Sequence, residues 1–353
     1  MNMKEAYILE IDVQKFFPGT WEKMSIKQQR KIQRRFERLK KQQKNERKVQ
    51  TMNKFYNGIM GLVVGDALGV PVEFRKRDTF TITDMTGYGT YNQPPGTWSD
   101  DSSLTLATLD SMAKLGKIDP ADIMQNFFYW LNDGMFTPYG EVFDVGGGTR
   151  RAIARFANGK DAAKCGGKTR MDNGNGALMR ILPVAMLPDY PEKETDLLSV
   201  THLTHAHFIS DFACRIYAAV VENLMNGMKK EEAVFSGIEK FKGQIESVSM
   251  LSDFGKLIDL EWLERTFVKS SGYVVDTLEA ALWCFLNTNT YRDCVLTAVN
   301  LGEDTDTVAA VAGGLAGIYY GCGGESGIPD EWIAQIPRRD WIKGLCAELI
   351  FEN

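Results

Sequence analysis

Residues 301–321 read LGEDTDTVAAVAGGLAGIYYG, the pattern of a polar helix start followed by a buried helix. Asp304, Asp306 and Thr307 stand just ahead of a run of small and apolar residues. Helix capping explains one such side chain, because the first backbone N–H groups of a helix lack partners. It does not explain two carboxylates and a hydroxyl within four positions, since carboxylates held that close repel each other unless a cation lies between them. The small residues that follow predict a buried helix in close contact with its neighbours.

A second stretch, WSDDSSLTLATLDSM at residues 98–112, has the same construction. Apolar residues at helical spacing follow a polar start, which predicts another helix. Carboxylate and hydroxyl oxygens are hard ligands that suit Mg²⁺ or Mn²⁺, whereas zinc favours His or Cys. Four carboxylates balance the charge of two divalent ions. The two stretches therefore predict a dinuclear Mg²⁺ or Mn²⁺ site from six donors: Ser99, Asp100, Asp101, Asp304, Asp306 and Thr307.

The segment NGIMGLVVGDALG at residues 57–69 places glycines at the spacing of one helix face. Because Gly destabilises an isolated helix, a repeated small face predicts tight contact with another helix. Asp66 lies within this apolar helix and needs a polar site or partner, since a lone buried charge is costly. Pro71 ends the helix, and Glu73 follows on an exit loop.

Helical patterns dominate the rest of the chain, and no convincing alternating strand occurs in it. We therefore predict an all-α fold, a compact multi-helix bundle around the metal site with loops that carry the chemistry. The predicted helices cover residues 120–132, 149–158, 176–186, 210–225, 230–242, 276–286 and 291–301.

Composition excludes several classes of protein. The chain has 353 residues, of which 44% are hydrophobic, so it can bury a full core. Its six cysteines are scattered without a Cys-x-x-Cys pair, which favours free thiols in a reducing cytosol. The N-terminus lacks the apolar core of a signal peptide, and no uninterrupted apolar run reaches the roughly 18 residues of a membrane span. We expect a soluble, cytoplasmic protein that does not bind membranes.

Charge divides the chain near residue 50. Residues 1–50 hold 14 basic and 6 acidic residues, whereas residues 51–353 hold 27 basic and 40 acidic residues. We predict a basic N-terminal extension over residues 1–50, with a strand-like run at 7–13 and a helix at 23–48. Three roles are open for that helix. Its stripe of Ile32, Phe36 and Leu39 packs on the acidic body, or it binds nucleic acid or another acidic partner, or it joins copies of the chain.

Two glycine-rich loops open helices. The first contains Gly146, Gly147, Gly148 and Thr149, and its backbone N–H groups are suited to a phosphate, although an ordinary turn fits equally well. The spacing matches neither a P-loop nor a dinucleotide fingerprint. The second loop has amide side chains for hydroxyls or phosphate, and it comprises Asp172, Asn173, Gly174, Asn175 and Gly176.

All three histidines lie in THLTHAH at residues 201–207. Their spacing gives no helical face that unites the three, and no further Cys or His stands nearby to complete a zinc site. We therefore predict that one histidine makes a polar contact in the site.

Five ordered motifs resemble the ADP-ribosylglycohydrolase family, which includes the dinitrogenase reductase-activating glycohydrolases and the ADP-ribosylarginine hydrolases. They are GDALGVPVE at 65–73, WSDDS at 98–102, NGALMR at 175–180, LTH at 203–205 and GEDTDT at 302–307. The similarity runs from about residue 54 to the C-terminus. Ser99 and Ser102 stand where this family usually has Thr, and Glu303 stands where Gly is common.

This resemblance implies an all-α hydrolase with two Mg²⁺ or Mn²⁺ ions that cleaves the bond between ADP-ribose and an acceptor, with arginine of a modified protein expected first. It implies the same six metal ligands. It also places the diphosphate and distal ribose against the two glycine loops, with His205 facing the ligand. Glu73 would stand beside the scissile ribose. ADP-ribose would be the product, and an ADP-ribosylated protein the partner.

Our mechanistic hypothesis assigns the attacking water to Asp100 or Asp101, with Glu73 as an alternative acid/base or a gate. Other functions are open at this level. The body can be a noncatalytic ADP-ribose-binding or structural relative, although no metal-ligand position is lost. It can also be a dinuclear-metal hydrolase of another nucleotide or glycosyl substrate. A third option is an ADP-ribosylglycohydrolase with another acceptor, such as serine, nucleic acid or O-acetyl-ADP-ribose.

Overall fold

Helices make up the regular structure of the chain in the computed structural model, which describes residues 21–187 and 193–351. Within those ranges only isolated β-bridges pair backbone segments outside the helices, so the predicted all-α fold is confirmed. The strand-like run at 7–13 lies outside the described residues. The helices are α1 (Ile26–Gly69), α2 (Asp100–Leu115), α3 (Pro120–Asp133), α4 (Gly147–Ala157), α5 (Leu182–Ala185), α6 (Lys193–Thr201), α7 (Phe208–Met225), α8 (Lys230–Glu239), α9 (Lys242–Ile245), α10 (Val248–Phe254), α11 (Val274–Leu286), α12 (Tyr291–Val299), α13 (Thr305–Tyr320), α14 (Asp330–Gln335) and α15 (Arg339–Phe351). Short 3-10 helices lie at Trp21–Lys23, Val70–Val72, Gly89–Tyr91, Ala162–Lys164, Arg170–Asp172, Leu178–Arg180, Gly255–Leu257, Leu260–Trp262 and Arg265–Phe267.

Helices α1 and α13 touch backbone to backbone along their small residues. A Cβ atom at Gly61 would lie 2.3 Å from the carbonyl oxygen of Gly313, and one at Gly69 would lie 2.3 Å from the Cα of Asp306. No larger residue fits at that spacing without a shift of one helix. The contact predicted from the glycine face is therefore confirmed, and it carries the end of α1 to the start of α13.

Helix α2 begins where its sequence predicts. Ser99 is the N-cap residue, and its hydroxyl accepts a hydrogen bond from the backbone N–H of Asp101 at 3.4 Å. Just before it, the indole N–H of Trp98 donates to the carbonyl of Phe136 at 3.2 Å. The helix ends at Gly116, which adopts the left-handed conformation with φ of 62°.

Most of the other predicted helices occur within a few residues of their expected bounds, but the continuous helix predicted over 176–186 is wrong. That segment is the 3-10 turn Leu178–Arg180 followed by the four-residue helix α5. Pro183 explains the break, because proline lacks the backbone N–H that a continuous helix would use. The helix predicted over 230–242 ends at Glu239.

The chain divides into two compact units, Met1–Asn53 and Lys54–Asn353. In the described part of the first unit, Ile32 and Phe36 are half-buried and Leu39 is 39% exposed. The predicted boundary near residue 50 and the role of the basic extension stay predictions.

One segment of the described chain, Ile26–Val72, is long and apolar enough to cross a membrane by length and composition. This segment is not among the uninterrupted apolar runs considered in the sequence analysis, so it was not predicted there. Because 89% of the apolar 18-residue window in this segment is buried inside the protein, the segment also has the properties of a core helix. All six cysteines are free, and five of them are buried.

Candidate functional site

Three carboxylates from three helices form the first acid triad, which we define as Asp66, Asp101 and Asp306. One oxygen of each lies within 4.8 Å of an oxygen of the other two, and all three side chains are buried. The α1–α13 contact supplies Asp66 and Asp306, and α2 supplies Asp101. This convergence is what places carboxylates from distant parts of the sequence in one small volume.

Asp66 also fixes the start of α2. Its carboxylate accepts hydrogen bonds from the Ser99 N–H at 2.9 Å, the Ser102 N–H at 3.0 Å and the Ser102 hydroxyl at 2.6 Å. These donors are the otherwise unpaired groups of a helix N-terminus. The sequence-based prediction that Asp66 needs a polar partner is therefore confirmed.

Asp101 carries the two predicted hydroxyl ligands on one oxygen. Its Oδ2 accepts from the Ser99 hydroxyl at 3.0 Å and from the Thr307 hydroxyl at 3.4 Å. Its Oδ1 is buried and has no hydrogen-bond partner, and the same is true of Oδ2 of Asp306. Buried carboxylate oxygens are costly unless something satisfies them, so both are candidates for a bound cation.

A second acid triad shares Asp306 and adds Glu73 and Asp144. One oxygen of each of these residues lies within 4.8 Å of the other two. Glu73 is 5% exposed, and its Oε2 is another buried oxygen without a partner. Asp100 borders this triad, because its Oδ2 accepts from the Gly146 N–H at 3.3 Å and its carboxyl hydrogen-bonds to that of Asp144.

The electrostatics of the two triads favour a positive ion. Burial, reinforced by the neighbouring carboxylates, raises the pKa values of Asp101 and Asp306 well above their usual range. Burial raises the pKa of Asp66 to about 6 against the opposing effect of its hydrogen bonds. Burial and the charge of Asp144 raise the pKa of Glu73 to about 8. Each shift is chiefly a cost of burying negative charge, and a divalent cation would offset that cost.

Asp304 belongs to neither triad, but it is near enough for its charge to raise the pKa values of Asp101 and Asp306. It is half-buried at the N-cap of α13, and its Oδ2 accepts from the Asn175 amide at 2.8 Å. Asp304 therefore links the acid triads to the second glycine loop. Glu303, beside it, has an exposed side chain and does not enter the site.

The two predicted glycine loops meet around His205. A Cβ atom at Gly148 would lie 2.9 Å from the ring Nε2, one at Gly174 would lie 3.5 Å from the same atom, and one at Gly176 would lie 2.8 Å from Cε1. The ring is buried, and burial lowers the pKa of His205 to about 3. A neutral imidazole therefore packs between the loops, with Nδ1 2.7 Å from the Thr204 hydroxyl.

The first loop opens α4 as the sequence predicts. Gly146 is the N-cap residue, Gly147 begins the helix, and Thr149 is buried behind them. Gly146 and Gly147 are exposed, so their backbone is accessible to a ligand. No side chain caps this helix N-terminus, which leaves its first N–H groups suited to an anion.

Asn173 differs from the prediction made for the second loop. Its Oδ1 accepts from the Ser210 hydroxyl at 2.9 Å, while its Nδ2 donates to the Arg170 carbonyl at 3.0 Å and lies 2.9 Å from Nδ1 of His207. The amide is fully engaged within the protein, and it supports the loop from behind. Asp172 is likewise paired, with Arg151 at 3.2 Å.

The remaining histidines separate. His202 lies 2.9 Å from Asp211, and His207 caps α7. Of the three, only His205 packs against both glycine loops. A polar contact of His205 with a ligand stays a prediction.

Two acid-triad members, Asp66 and Asp144, were not among the predicted metal ligands. For Asp66 the signal was a carboxylate in an apolar helix, and for Asp144 it was a carboxylate that directly precedes a glycine run. Tyr91 was missed entirely, although its hydroxyl interacts with both Glu73 and Asp144. Nothing in the sequence around Tyr91 marks it.

This arrangement suits hard divalent cations beside an anionic ligand. Buried carboxylate oxygens without hydrogen-bond partners lie near the two glycine loops, and the first loop is exposed at Gly146 and Gly147. Residues 47–353 match the ADP-ribosylglycohydrolase family, and the chain belongs to that family.

Individual relatives agree with this membership. The chain is 33% identical over 302 residues to the ADP-ribosylarginine hydrolase Tri1 of Pseudomonas putida (strain GB-1), which covers 85% of this chain and 78% of that protein. It is 33% identical over 285 residues to the ADP-ribosyl-(dinitrogen reductase) glycohydrolase of Rhodospirillum rubrum, over 78% of this chain and 88% of that protein. A chain in a solved ADP-ribosylglycohydrolase-related protein complex superposes with a TM-score of 0.72 at 30% identity, over 85% of this chain and 98% of that chain.

Proposed function

We propose that this protein removes ADP-ribose from arginine side chains of modified proteins by metal-dependent hydrolysis. The observation that carries the proposal is the set of three buried, unpartnered carboxylate oxygens, on Glu73, Asp101 and Asp306, beside the two glycine loops. The names of the two relatives support arginine as the acceptor, since one is an ADP-ribosylarginine hydrolase and the other acts on ADP-ribosyl-dinitrogen reductase.

Two divalent cations, Mg²⁺ or Mn²⁺, would be held by the two acid triads. Asp306 would serve both ions because it belongs to both triads. When bound, such ions acidify a coordinated water and orient hydroxyl groups of a ribose. The six sequence-predicted donors stay in this proposal, with Asp66 and Asp144 added as carboxylates of the triads.

The remaining groups of the site would position ADP-ribose. The backbone N–H groups of Gly147 and Gly148, in the uncapped first turn of α4, would provide donors for the diphosphate. Asn175 lies between Asp304 and Thr277, and its Nδ2 contacts both, which leaves its Oδ1 to face a ribose hydroxyl. Neutral His205 fills the space between the loops and fixes their separation.

Hydrolysis adds water to the anomeric carbon and expels the guanidine nitrogen with a proton. We assign orientation or deprotonation of the water to Asp100 or Asp101. Glu73 stays the alternative acid/base or gate, and it lies in the second triad with Asp144 and Asp306. The clustered carboxylates also stabilise positive charge that develops on the ribose as the bond breaks.

Release of ADP-ribose from an arginine-ADP-ribosylated protein tests this proposal. We expect release with Mg²⁺ or Mn²⁺, none with EDTA, and a loss of at least about a hundredfold in Asp306→Asn. Asp293→Asn is the matched control, because it makes the same change at an exposed helix start. Equal release with and without EDTA would refute the metal dependence, and no release under any condition would refute the acceptor.

Two further assignments accompany this function. We propose a cytoplasmic location, which the free cysteines support. Nucleic acid or another acidic partner for the basic extension stays a prediction, and a steep salt dependence of binding that disappears on deletion of residues 1–50 would support it.

A further inference from the structure

Two exposed aromatic residues have unusual backbone conformations, one directly after Glu73 and one in a loop that is hydrogen-bonded to the Glu73 carbonyl. Phe74 has φ of 66° and is 68% exposed, and Tyr88 has φ of 60° and is 57% exposed. The left-handed region is disfavoured for bulky side chains. Neither backbone preference nor burial in the core accounts for these two positions.

The backbone of Phe74 is held against the start of α13. Its N–H donates to the Glu303 carbonyl at 2.7 Å, and the Glu303 N–H donates to the Arg75 carbonyl at 2.8 Å. Glu303 itself has φ of 63° and directly precedes Asp304. The backbone at Phe74 is therefore fixed relative to the start of α13, which carries Asp306.

The loop that carries Tyr88 is tied to the same segment. The Thr90 hydroxyl donates to the Glu73 carbonyl at 2.9 Å, and a Cβ atom at Gly89 would lie 1.9 Å from the Pro71 carbonyl oxygen. The Tyr88 N–H donates to the carbonyl of Gln93. Both aromatic residues are thus anchored on the backbone around Glu73.

Strain of this kind concentrates in the segment that follows Glu73 and at the residue that precedes Asp304. In the described chain seven non-glycine residues have positive φ, and five of them lie between residues 74 and 92 or at 303. Strained backbone persists where the surrounding structure enforces it, and it is enriched at functional sites. Exposed aromatic side chains are also enriched where proteins bind other proteins.

We infer that Phe74 and Tyr88 form a docking rim for the polypeptide that carries the ADP-ribosylated arginine. The rim contacts apolar or aromatic side chains next to the modified residue, and it thereby selects protein substrates over small ones. This inference rests on the proposed function. It assigns the rim to the acceptor side, because Phe74 directly follows Glu73, the Tyr88 loop is hydrogen-bonded to the Glu73 carbonyl through Thr90, and neither aromatic residue belongs to the glycine loops.

Glycine substitutions test the rim without added strain, since glycine adopts positive φ freely. Phe74→Gly and Tyr88→Gly are each assayed on an arginine-ADP-ribosylated protein and on free ADP-ribosyl-arginine. We expect a loss of about tenfold in kcat/KM on the protein substrate, mainly through KM, and a change of less than about twofold on the small substrate. Phe74→Asn is a second variant that also tolerates positive φ.

Two controls accompany the test. Phe74→Tyr retains an aromatic ring and is expected to keep activity on both substrates. Trp262→Ala removes a 79% exposed aromatic residue elsewhere and is expected to change neither. Equal losses on both substrates, no loss on either, or a changed oligomeric state in the glycine variants would overturn the rim. Failure of the wild-type protein on both substrates would instead contradict the proposed function.

Discussion

Asn173 and Asn175 show how far residue type alone predicts a role. Both amides stand in one glycine-punctuated loop, and the sequence assigns them the same task. In the structure, the Asn173 side chain makes its hydrogen bonds to Ser210, His207 and the Arg170 carbonyl. The Asn175 amide instead donates to Asp304. The partners of Asn173 lie on α7 and in the 3-10 turn before the loop, and sequence spacing does not specify which side chains those elements bring together.

Asn173→Ala is therefore expected to act on stability. Loss of the amide leaves buried partners unsatisfied, which costs about 1–3 kcal/mol. The midpoint of urea denaturation should fall accordingly. Asn132→Ala is the control, because its exposed amide bonds only to the Phe128 carbonyl of its own helix, and a change below about 0.5 kcal/mol is expected. If Asn173→Ala kept the stability of the wild-type protein but lost ADP-ribose binding, Asn173 would be a ligand contact.

At the scale of elements, the glycine face of residues 57–69 was sufficient to predict a tight helix contact. Its partner was not predictable, because many helices of the chain have small residues and only the three-dimensional packing selects α13. The same limit explains why Asp66 and Asp144 were not assigned to the site. They lie 35 and 43 positions from Asp101, and the helix packing decides that these carboxylates meet. Local chemistry was predictable, and long-range pairing was not.

Gly65→Ala tests this helix contact. Its new Cβ would lie 2.1 Å from the Ala309 carbonyl oxygen, so α1 and α13 must separate, at a cost of about 1–3 kcal/mol or more. Because the displaced helices carry Asp66 and Asp306, cation binding should weaken as well.

Gly344→Ala is the matched control for that substitution. It lies in α15 with no atom within 4 Å of the added Cβ, and it should stabilise the protein by up to about 1 kcal/mol. Thermal unfolding of both variants measures the difference. Equal stability of the two variants would contradict the packing described for α1 and α13.

For the molecule as a whole, the acid triads couple folding to pH. The ordinary pKa values of Asp and Glu are 3.8 and 4.5, whereas the folded values are about 6 for Asp66 and about 8 for Glu73. Between about pH 4 and pH 8, the cation-free folded state therefore holds more protons than the unfolded state. The stability that these groups contribute is fully present below pH 4 and is lost as pH rises through 6 to 8.

We expect the melting temperature of the wild-type protein in EDTA to fall between pH 5 and pH 8. The fall should be larger than that of Asp306→Asn under the same conditions. Added Mn²⁺ should oppose this fall, since it competes with protons for the same oxygens. Its stabilising effect should reach about 2.7 kcal/mol at a hundredfold excess over Kd and should grow with pH. A Mn²⁺-induced shift that is the same at pH 5 and pH 8 would argue that the cation binds elsewhere.

The charge difference between residues 1–50 and 51–353 is a property of the sequence itself, and the boundary near residue 50 stays a prediction. The partner of the extension was not predictable, since a basic helix suits many acidic surfaces.

The central claim is that two acid triads joined at Asp306 hold two divalent cations. Calorimetric titration of the cation-free protein with Mn²⁺ at pH 8 measures the number of bound ions and their affinity directly. The account predicts two ions per chain for the wild-type protein and at most one, bound at least about tenfold more weakly, for Asp306→Asn. Two ions with unchanged affinity in Asp306→Asn, or no binding in the wild-type protein, would contradict it.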